Sequence, residues 1–264
     1  MKYYQYWVNR QFNIRIGAQK ESINILSGSN VSEQDAFEQA IKRCEQVERR
    51  IQTKEPLSEY DIPIKEQVDT IIDSANIVTI CRYGAKIINT EQYTILDLDD
   101  YPLNFFDWFN GMRKLSRKER IVAKFLQQIK KYPELGEDFR IYETTKGVRV
   151  IGKKYLAPEG KHYQHIMRKL NVDWLYITLS QKQQCYRARI TPKPYRMRFR
   201  TIKIKSPVDC QTESYQQWAK EYAKASERYA VVKFVKSIGL DFSTEPVIKF
   251  HDEACKAFEK SRLA

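Results

Sequence analysis

The sequence has few cysteines, and they lie too far apart to form a local motif. Its five cysteines, the first at Cys44 and the last at Cys255, include no Cys-x-x-Cys pair and are odd in number. They therefore predict neither a zinc motif nor a disulfide framework. Free cysteines are typical of proteins in a reducing compartment. We expect a cytoplasmic protein.

Long apolar runs are also missing. No stretch approaches the roughly 18 apolar residues that a membrane-spanning helix needs. Residues 1–6 lack the apolar core of a secretory signal, so we expect no membrane partner. No glycine-rich phosphate loop, nucleophile elbow or kinase signature occurs, which removes the sequence support for those enzyme classes.

Acidic residues are in deficit. The chain has 46 Lys and Arg residues against 33 Asp and Glu, a formal net charge of +13, and 42% of its 264 residues are hydrophobic. This is the composition of a basic, globular protein. Nucleic acid is the commonest partner of such an excess. The alternative is that the charge serves only solubility.

Hydrophobic periodicity predicts a mixture of helices and strands. We expect a small β-meander in residues 3–26, then helices at residues 32–51, 65–74, 116–132 and 162–170 and after His251. Strands are expected at residues 77–80, 85–88 and 93–96, and a hairpin at 139–152 turns at Thr145-Lys146-Gly147. Ser32 and Ser116 are predicted N-caps. The pattern indicates an α+β fold with a largely antiparallel sheet flanked by helices.

A domain boundary is predicted near residue 60, where Pro56 and Pro63 bracket an irregular acidic stretch. Residues 1–60 would form an N-terminal strand-helix module. Residues 61–264 would form an α+β core domain with a helical C-terminal part. The alternative is one single domain.

Residues 187–205 contain eight Lys or Arg residues and no Asp or Glu. Their alternation predicts two strands joined around Thr191-Pro192-Lys193-Pro194. Because successive side chains of a strand point to opposite faces, Arg187 and Arg189 would share one face. Arg196, Arg198 and Arg200 would share a face of the second strand.

This basic segment predicts a surface for a polyanion. Guanidinium groups offer planar, bidentate donors to phosphate. The alternative is the solvated face of an edge strand that stays charged to prevent aggregation. The predicted nucleic-acid-binding residues are Arg187, Arg189, Lys193, Arg196, Arg198, Arg200 and Lys203.

Asp97 and Asp99 follow the apolar run of residues 93–96 and leave the same strand face. Two such carboxylates are hard oxygen ligands for Mg²⁺ or Mn²⁺, as phosphoryl-transfer sites require. They are the predicted catalytic residues and metal ligands. The alternative is that Asp99 and Asp100 simply begin a turn.

Three regions within residues 77–205 carry a family resemblance. They are the apolar strand ending in Asp97-Leu98-Asp99, the hairpin of residues 142–150 and the strand of residues 186–190. In this order they resemble the core of the archaeo-eukaryotic primase (primase-polymerase) superfamily. The resemblance implies that Asp97 and Asp99 hold a divalent metal while Lys146 and Arg149 face nucleotide phosphates. Residues 186–194 also resemble a run shared by a group of bacterial proteins, which implies no particular activity.

Two positions depart from the superfamily's pattern. Arg149 stands where that superfamily has a histidine, and Arg187 or Arg189 stands where it has a third acid. A guanidinium suits phosphate oxygens. Loss of the third carboxylate counts against a two-metal mechanism.

Weaker candidates lie elsewhere. His162 and His165 are spaced to touch one metal, although a solvated helix face is the commoner reading. His251-Asp252-Glu253 is predicted to be the first turn of the terminal helix. A group of aromatic residues is predicted either to stack on bases or to join the core; it consists of Tyr101, Phe105, Phe106, Trp108 and Phe109.

The sequence supports three hypotheses and leaves open whether the protein is an enzyme. The first is a nucleic-acid-binding protein with a primase-polymerase-like core and metal-dependent nucleotidyl or phosphoryl transfer. The second is a non-catalytic DNA- or RNA-binding protein with a degenerate site. The third is an interaction protein whose basic face docks an acidic partner.

Overall fold

Helices and strands alternate along the chain. The computed structural model describes residues 1–16, 19–53, 63–101, 105–108 and 111–264, and within these ranges it contains six α-helices and twelve strands. The helices are α1 (Glu33–Thr53), α2 (Arg117–Ile129), α3 (Gly160–Lys169), α4 (Trp174–Gln183), α5 (Glu213–Ser226) and α6 (Pro246–Cys255). The strands are β1 (Tyr6–Ile16), β2 (Gln19–Ser29), β3 (Gln67–Asp73), β4 (Asn76–Ile80), β5 (Lys86–Thr90), β6 (Thr94–Leu98), β7 (Phe139–Thr144), β8 (Val148–Gly152), β9 (Tyr186–Arg189), β10 (Tyr229–Ala230), β11 (Val232–Ile238) and β12 (Arg262–Leu263).

Two four-stranded antiparallel sheets form the centre of the fold. One has the strand order β3-β4-β5-β9 and the other has the order β11-β7-β8-β6. Strand β6 follows β5 directly in sequence but pairs with β8 in the second sheet. The predicted α+β class with largely antiparallel pairing is confirmed. The strands form two sheets, and the chain passes from one sheet to the other between β5 and β6.

One large apolar core joins both sheets to the helices. Ile88 of β5 and Ala188 of β9 belong to the same buried cluster as Val150 of β8, Phe125 of α2 and Ile166 of α3. The ring of Phe125 meets Phe139 edge to face at 5.5 Å between centroids, a favoured aromatic geometry. This shared core fixes the position of one sheet against the other.

The predicted helix starts at Ser32 and Ser116 are confirmed. The Ser116 hydroxyl accepts a hydrogen bond from the backbone N–H of Glu119, and the Glu119 carboxylate accepts one from the backbone N–H of Ser116. The Ser32 hydroxyl accepts from the backbone N–H of Asp35. These bonds satisfy amide groups that the first helical turn leaves without partners.

The sequence predictions for residues 65–74 and 198–205 are wrong. The helix predicted at residues 65–74 is strand β3 (Gln67–Asp73) instead, because the β-branched Val68, Thr70 and Ile71 suit a pleated edge. Residues 198–205 form no strand, and Pro194–Met197 is a 3₁₀ turn. Prolines at positions 192 and 194 cannot donate to a strand ladder, and the Phe199 N–H turns back to the Pro194 carbonyl.

The N-terminal hairpin and α1 have a small core of their own. Ile14 of β1 and Ile25 of β2 pack against Ala36 and Ala40 of α1. The predicted boundary between residues 60 and 61 lies outside the described residues, so the two-domain division stays a prediction. None of the helices in the described ranges is both long and apolar enough to cross a membrane.

Candidate anion-binding cleft

A cleft of about 400 Å³ opens where β6 and β8 of one sheet approach β9 of the other. Its wall also includes α4 and the turn between β7 and β8. Nine charged side chains line the cleft, and six of them are basic. They are Lys146, Arg149, Arg187, Arg189, Lys193 and Arg196, with Asp97, Asp99 and Asp173 as the acids.

Strand β9 aims two arginines into the cleft. Arg187 lies opposite Asn89 and Arg189 lies opposite Ile87 of β5. Tyr186 and Ala188, which alternate with them, are buried in the core. The predicted strand parity is therefore confirmed for β9, and its apolar face holds the arginines in place.

The two arginines of β9 differ in how their charge is compensated. Arg187 forms an ion pair with Glu66, whose carboxylate also accepts a hydrogen bond from Thr79 at 2.6 Å. Arg189 donates from Nη1 to the Thr191 carbonyl at 2.8 Å, and it has no carboxylate partner among the described residues. Burial lowers the pKa of Arg189, and the nearby cation of Arg149 lowers it further.

Arg149 of β8 lies at the floor of the cleft. It pairs across the sheet with Asp97 of β6, and its Nε donates to Asp97 Oδ1 at 3.0 Å. Its Nη1 donates to the Arg189 carbonyl at 2.9 Å, which ties the two sheets together. Burial lowers the pKa of Arg149, but the Asp97 carboxylate, with smaller contributions from Cys255 and Tyr176, raises it, and the net pKa lies above the usual value. The guanidinium therefore stays charged.

Gly147 brings the β7–β8 turn close to the end of β6. A Cβ at this position would lie 2.0 Å from the Leu98 carbonyl oxygen and 2.9 Å from the Asp99 Cα, so only glycine allows this approach. The turn is further held by a hydrogen bond from the Gly147 N–H to Thr144 Oγ1. As a result Lys146 and Asp99 face the same cleft.

Helix α4 closes one side of the cleft. The Asp173 carboxylate caps it by accepting hydrogen bonds from the backbone N–H groups of Leu175 and Tyr176. The Tyr176 hydroxyl lies 2.9 Å from the Ile95 carbonyl on β6 and 3.1 Å from the Arg187 carbonyl on β9. Burial raises the pKa of Tyr176 well above its usual value, so this hydroxyl keeps its proton as a donor between the sheets.

A buried polar chain supports Arg149 from behind. Nε2 of His251 lies 3.4 Å from Arg149 Nη1, and Nδ1 of His251 lies 2.9 Å from Asp252 Oδ1. Asp252 Oδ2 in turn accepts from Arg140 Nη2 at 2.7 Å. Because a guanidinium only donates, His251 accepts from Arg149 at Nε2 only while it is neutral, and protonation of His251 removes this hydrogen bond.

His251 titrates close to physiological pH. Burial lowers its pKa, whereas Cys255 and the Asp252 carboxylate raise it, and the result is about 8. His251 and Asp252 lie in the second half of α6, not in its first turn as predicted, because α6 begins at Pro246. Proline is favoured at the first helical position since its missing N–H has no partner there.

The donor set suits an anion better than a pair of metal ions. Asp97 is already engaged by Arg149, and the predicted third-acid positions are arginines. Within the described part of the chain, no three His, Cys, Asp or Glu side chains cluster closely enough to hold a metal ion. The Mg²⁺ or Mn²⁺ predicted for Asp97 and Asp99 remains a prediction.

The cleft gathers most of the sequence-predicted residues, but not all. Eight of them line it, from both sheets and the turn after β9. Arg198, Arg200 and Lys203 lie outside this lining and are exposed, and Arg200 pairs with Glu221 at 2.8 Å. Their predicted surface lacks the second strand on which it was based. Their role in binding stays a prediction.

The weaker candidates that the structure describes do not line the cleft. Exposed His162 contacts Glu134 at 3.0 Å. Tyr101 is buried and Phe105 is exposed, and Phe109 lies outside the described residues.

Several residues that line or support the cleft were not predicted from the sequence. Tyr176 lies in α4, for which no helix was predicted because its apolar residues show no helical periodicity. The capping residue Asp173 was the available signal. His251, Asp252 and Arg140 come from distant parts of the chain, and no sequence spacing links them to Arg149.

Comparisons with protein-family models, curated proteins and solved structures find no match to this chain. The resemblance to the primase-polymerase superfamily therefore stays a prediction.

Proposed function

We propose that the protein binds nucleic acid and that the phosphate groups of the nucleic acid lie in the cleft between the two sheets. The observation that carries this proposal is the convergence of six basic side chains on one concave surface with three acids. Such a site carries excess positive charge in a partly desolvated place, where charge-assisted hydrogen bonds to phosphate are strong.

Arg189 is the central residue of this proposal. Like charges placed side by side repel, and a bound anion relieves that repulsion. Arg149, Arg189 and Arg196 are close enough for the two neighbours to lower the pKa of Arg189. A phosphate between these three arginines would neutralise positive charge that the carboxylates of Asp97 and Glu66 do not neutralise.

The test is binding of DNA and RNA oligonucleotides, followed by fluorescence anisotropy at several salt concentrations. We expect affinity to fall steeply with salt, because binding releases counterions. Lys193→Glu combined with Arg196→Glu should abolish binding. The matched control is Arg198→Glu with Lys203→Glu, which reverses two exposed charges outside the cleft. Equal loss in both double variants would contradict the placement in the cleft.

A second candidate function is metal-dependent nucleotidyl or phosphoryl transfer. It is favoured by Asp99, which is exposed at the cleft. Its backbone carbonyl accepts a hydrogen bond from Arg117 at 2.8 Å, whereas its carboxylate bonds to none of the described residues. Incorporation or cleavage assays with Mn²⁺ or Mg²⁺ test it. Activity that is lost in Asp99→Asn while oligonucleotide binding persists would favour the enzyme. Absence of any metal-dependent turnover leaves the non-catalytic binder.

A further inference from the structure

The depth of Arg149 in the cleft restricts the phosphate groups that reach it. Its side chain is 3% exposed. Nε and Nη1 are already bonded to Asp97 and to the Arg189 carbonyl. Nη2 bonds to none of the described residues, and it keeps some solvent-accessible surface. One edge of a fixed guanidinium therefore opens into the cleft.

The support behind Arg149 makes this edge preorganised. His251, Asp252 and Arg140 are all buried, and together they form a continuous polar chain to Arg149. A donor held in this way loses little conformational entropy when its ligand binds. Such support is costly in a protein core, and an exposed phosphate-binding surface has no need for it.

Terminal and internal phosphates differ in charge and in shape. An internal phosphodiester carries one negative charge and has a sugar on each side, so it meets side chains that protrude from a surface. A terminal phosphate carries a charge of about −1.5 to −2 near neutral pH and presents three acceptor oxygens. It enters a cleft end-on, where Arg149 Nη2, Arg189 and Lys146 are available as donors.

We propose that the floor of the cleft is a recognition site for a terminal phosphate group, carried by the end of a polynucleotide or by a free nucleotide. This rests on the proposed function, in which Lys193 and Arg196 hold the adjoining strand. It adds that the ligand is recognised by its end and not by its length.

One oligonucleotide tests this in three forms, with a 5′ phosphate, with a 3′ phosphate and without a terminal phosphate. We expect one phosphorylated form to bind at least about tenfold more tightly than the unphosphorylated one. Arg149→Lys keeps the charge but removes the Nη2 donor, and it should abolish the preference. If its melting temperature shows that Arg149→Lys does not fold, Arg189→Gln serves instead. Arg200→Gln is the matched control and should keep the preference.

Competition distinguishes the two sources of the terminal phosphate. Displacement of the phosphorylated oligonucleotide by nucleoside monophosphate or triphosphate would identify a nucleotide site, and resistance to displacement would identify a strand end. Equal affinity for all three oligonucleotides, with a steep salt dependence, overturns the terminal-phosphate site while the proposed function stands. Binding of free nucleotide without binding of any oligonucleotide supports the site and refutes the proposed function.

Discussion

The two halves of the basic segment have the same kind of sequence but different surroundings. In the cleft half, residues 187–196, the arginines of β9 are fixed on a strand and partly buried. In the surface half, residues 198–205, the backbone is irregular and the arginines are exposed, with the Arg200 side chain 62% accessible. Charge alone therefore does not define the site. Concavity does, together with the excess of six basic over three acidic side chains in the cleft.

The largest effect should separate these two halves directly. Arg189→Gln removes a partly desolvated donor, and charge-assisted hydrogen bonds are worth about 1.5–3 kcal/mol, so oligonucleotide affinity should fall by about 10- to 100-fold. Arg200→Gln removes an exposed cation that already pairs with Glu221, so affinity should change by less than about twofold. Anisotropy titrations at one salt concentration compare the variants. Equal losses would mean that both halves bind.

The next effect concerns the turn that completes the cleft. Gly147→Ala places a methyl group against the Leu98 carbonyl, and such overpacking costs about 1–3 kcal/mol of unfolding free energy. It should also weaken oligonucleotide binding, since Lys146 moves with the turn. Gly160→Ala is the control, because a Cβ at Gly160 meets no atom within 4 Å and only the φ of +74° strains an alanine there. Denaturant unfolding should show a smaller loss there, and binding should be unchanged.

The sequence predicted the parts of this site that depend on local order. The parity of β9 and the β7–β8 turn are local features, and they placed Arg187, Arg189 and Lys146 on the correct elements. The second basic strand was wrong because alternation of charge does not supply the backbone donors that Pro192 and Pro194 lack. The contact between Arg149 and His251 spans 102 positions. Only the packing of α6 against the sheet creates it.

Removing the carboxylate beside Arg149 should sharpen the distinction between an anion site and a metal site. Asp97→Asn leaves the buried guanidinium without its partner. We expect the unfolding free energy to fall by about 1–3 kcal/mol. This is less than the loss expected for a fully buried ion pair, because Asp97 is 43% exposed. Affinity for a phosphorylated oligonucleotide should nevertheless rise severalfold, because one negative charge leaves the cleft.

Asp99→Asn is the matched control for this variant. It removes an exposed carboxylate from the same cleft without breaking an ion pair, so affinity should rise while stability stays constant. Isothermal titration with and without Mn²⁺ provides the measurement. If both variants lose a metal-dependent part of binding, the metal prediction gains and the simple anion site fails.

The smallest expected effect is the pH dependence of the unfolding free energy that comes from His251, which lies behind the cleft half. The surface half has no counterpart to His251 among the described residues. The pKa of His251 is raised to about 8 from the usual 6.5, so folding favours the protonated form. Its contribution is fully present below about pH 6.5 and is lost as pH rises through about 8, by at most about 2 kcal/mol. Denaturant unfolding of wild type and His251→Asn, compared at each pH, isolates this contribution because other groups cancel. Parallel pH profiles would show that His251 stays neutral, with its Nε2 permanently committed to Arg149.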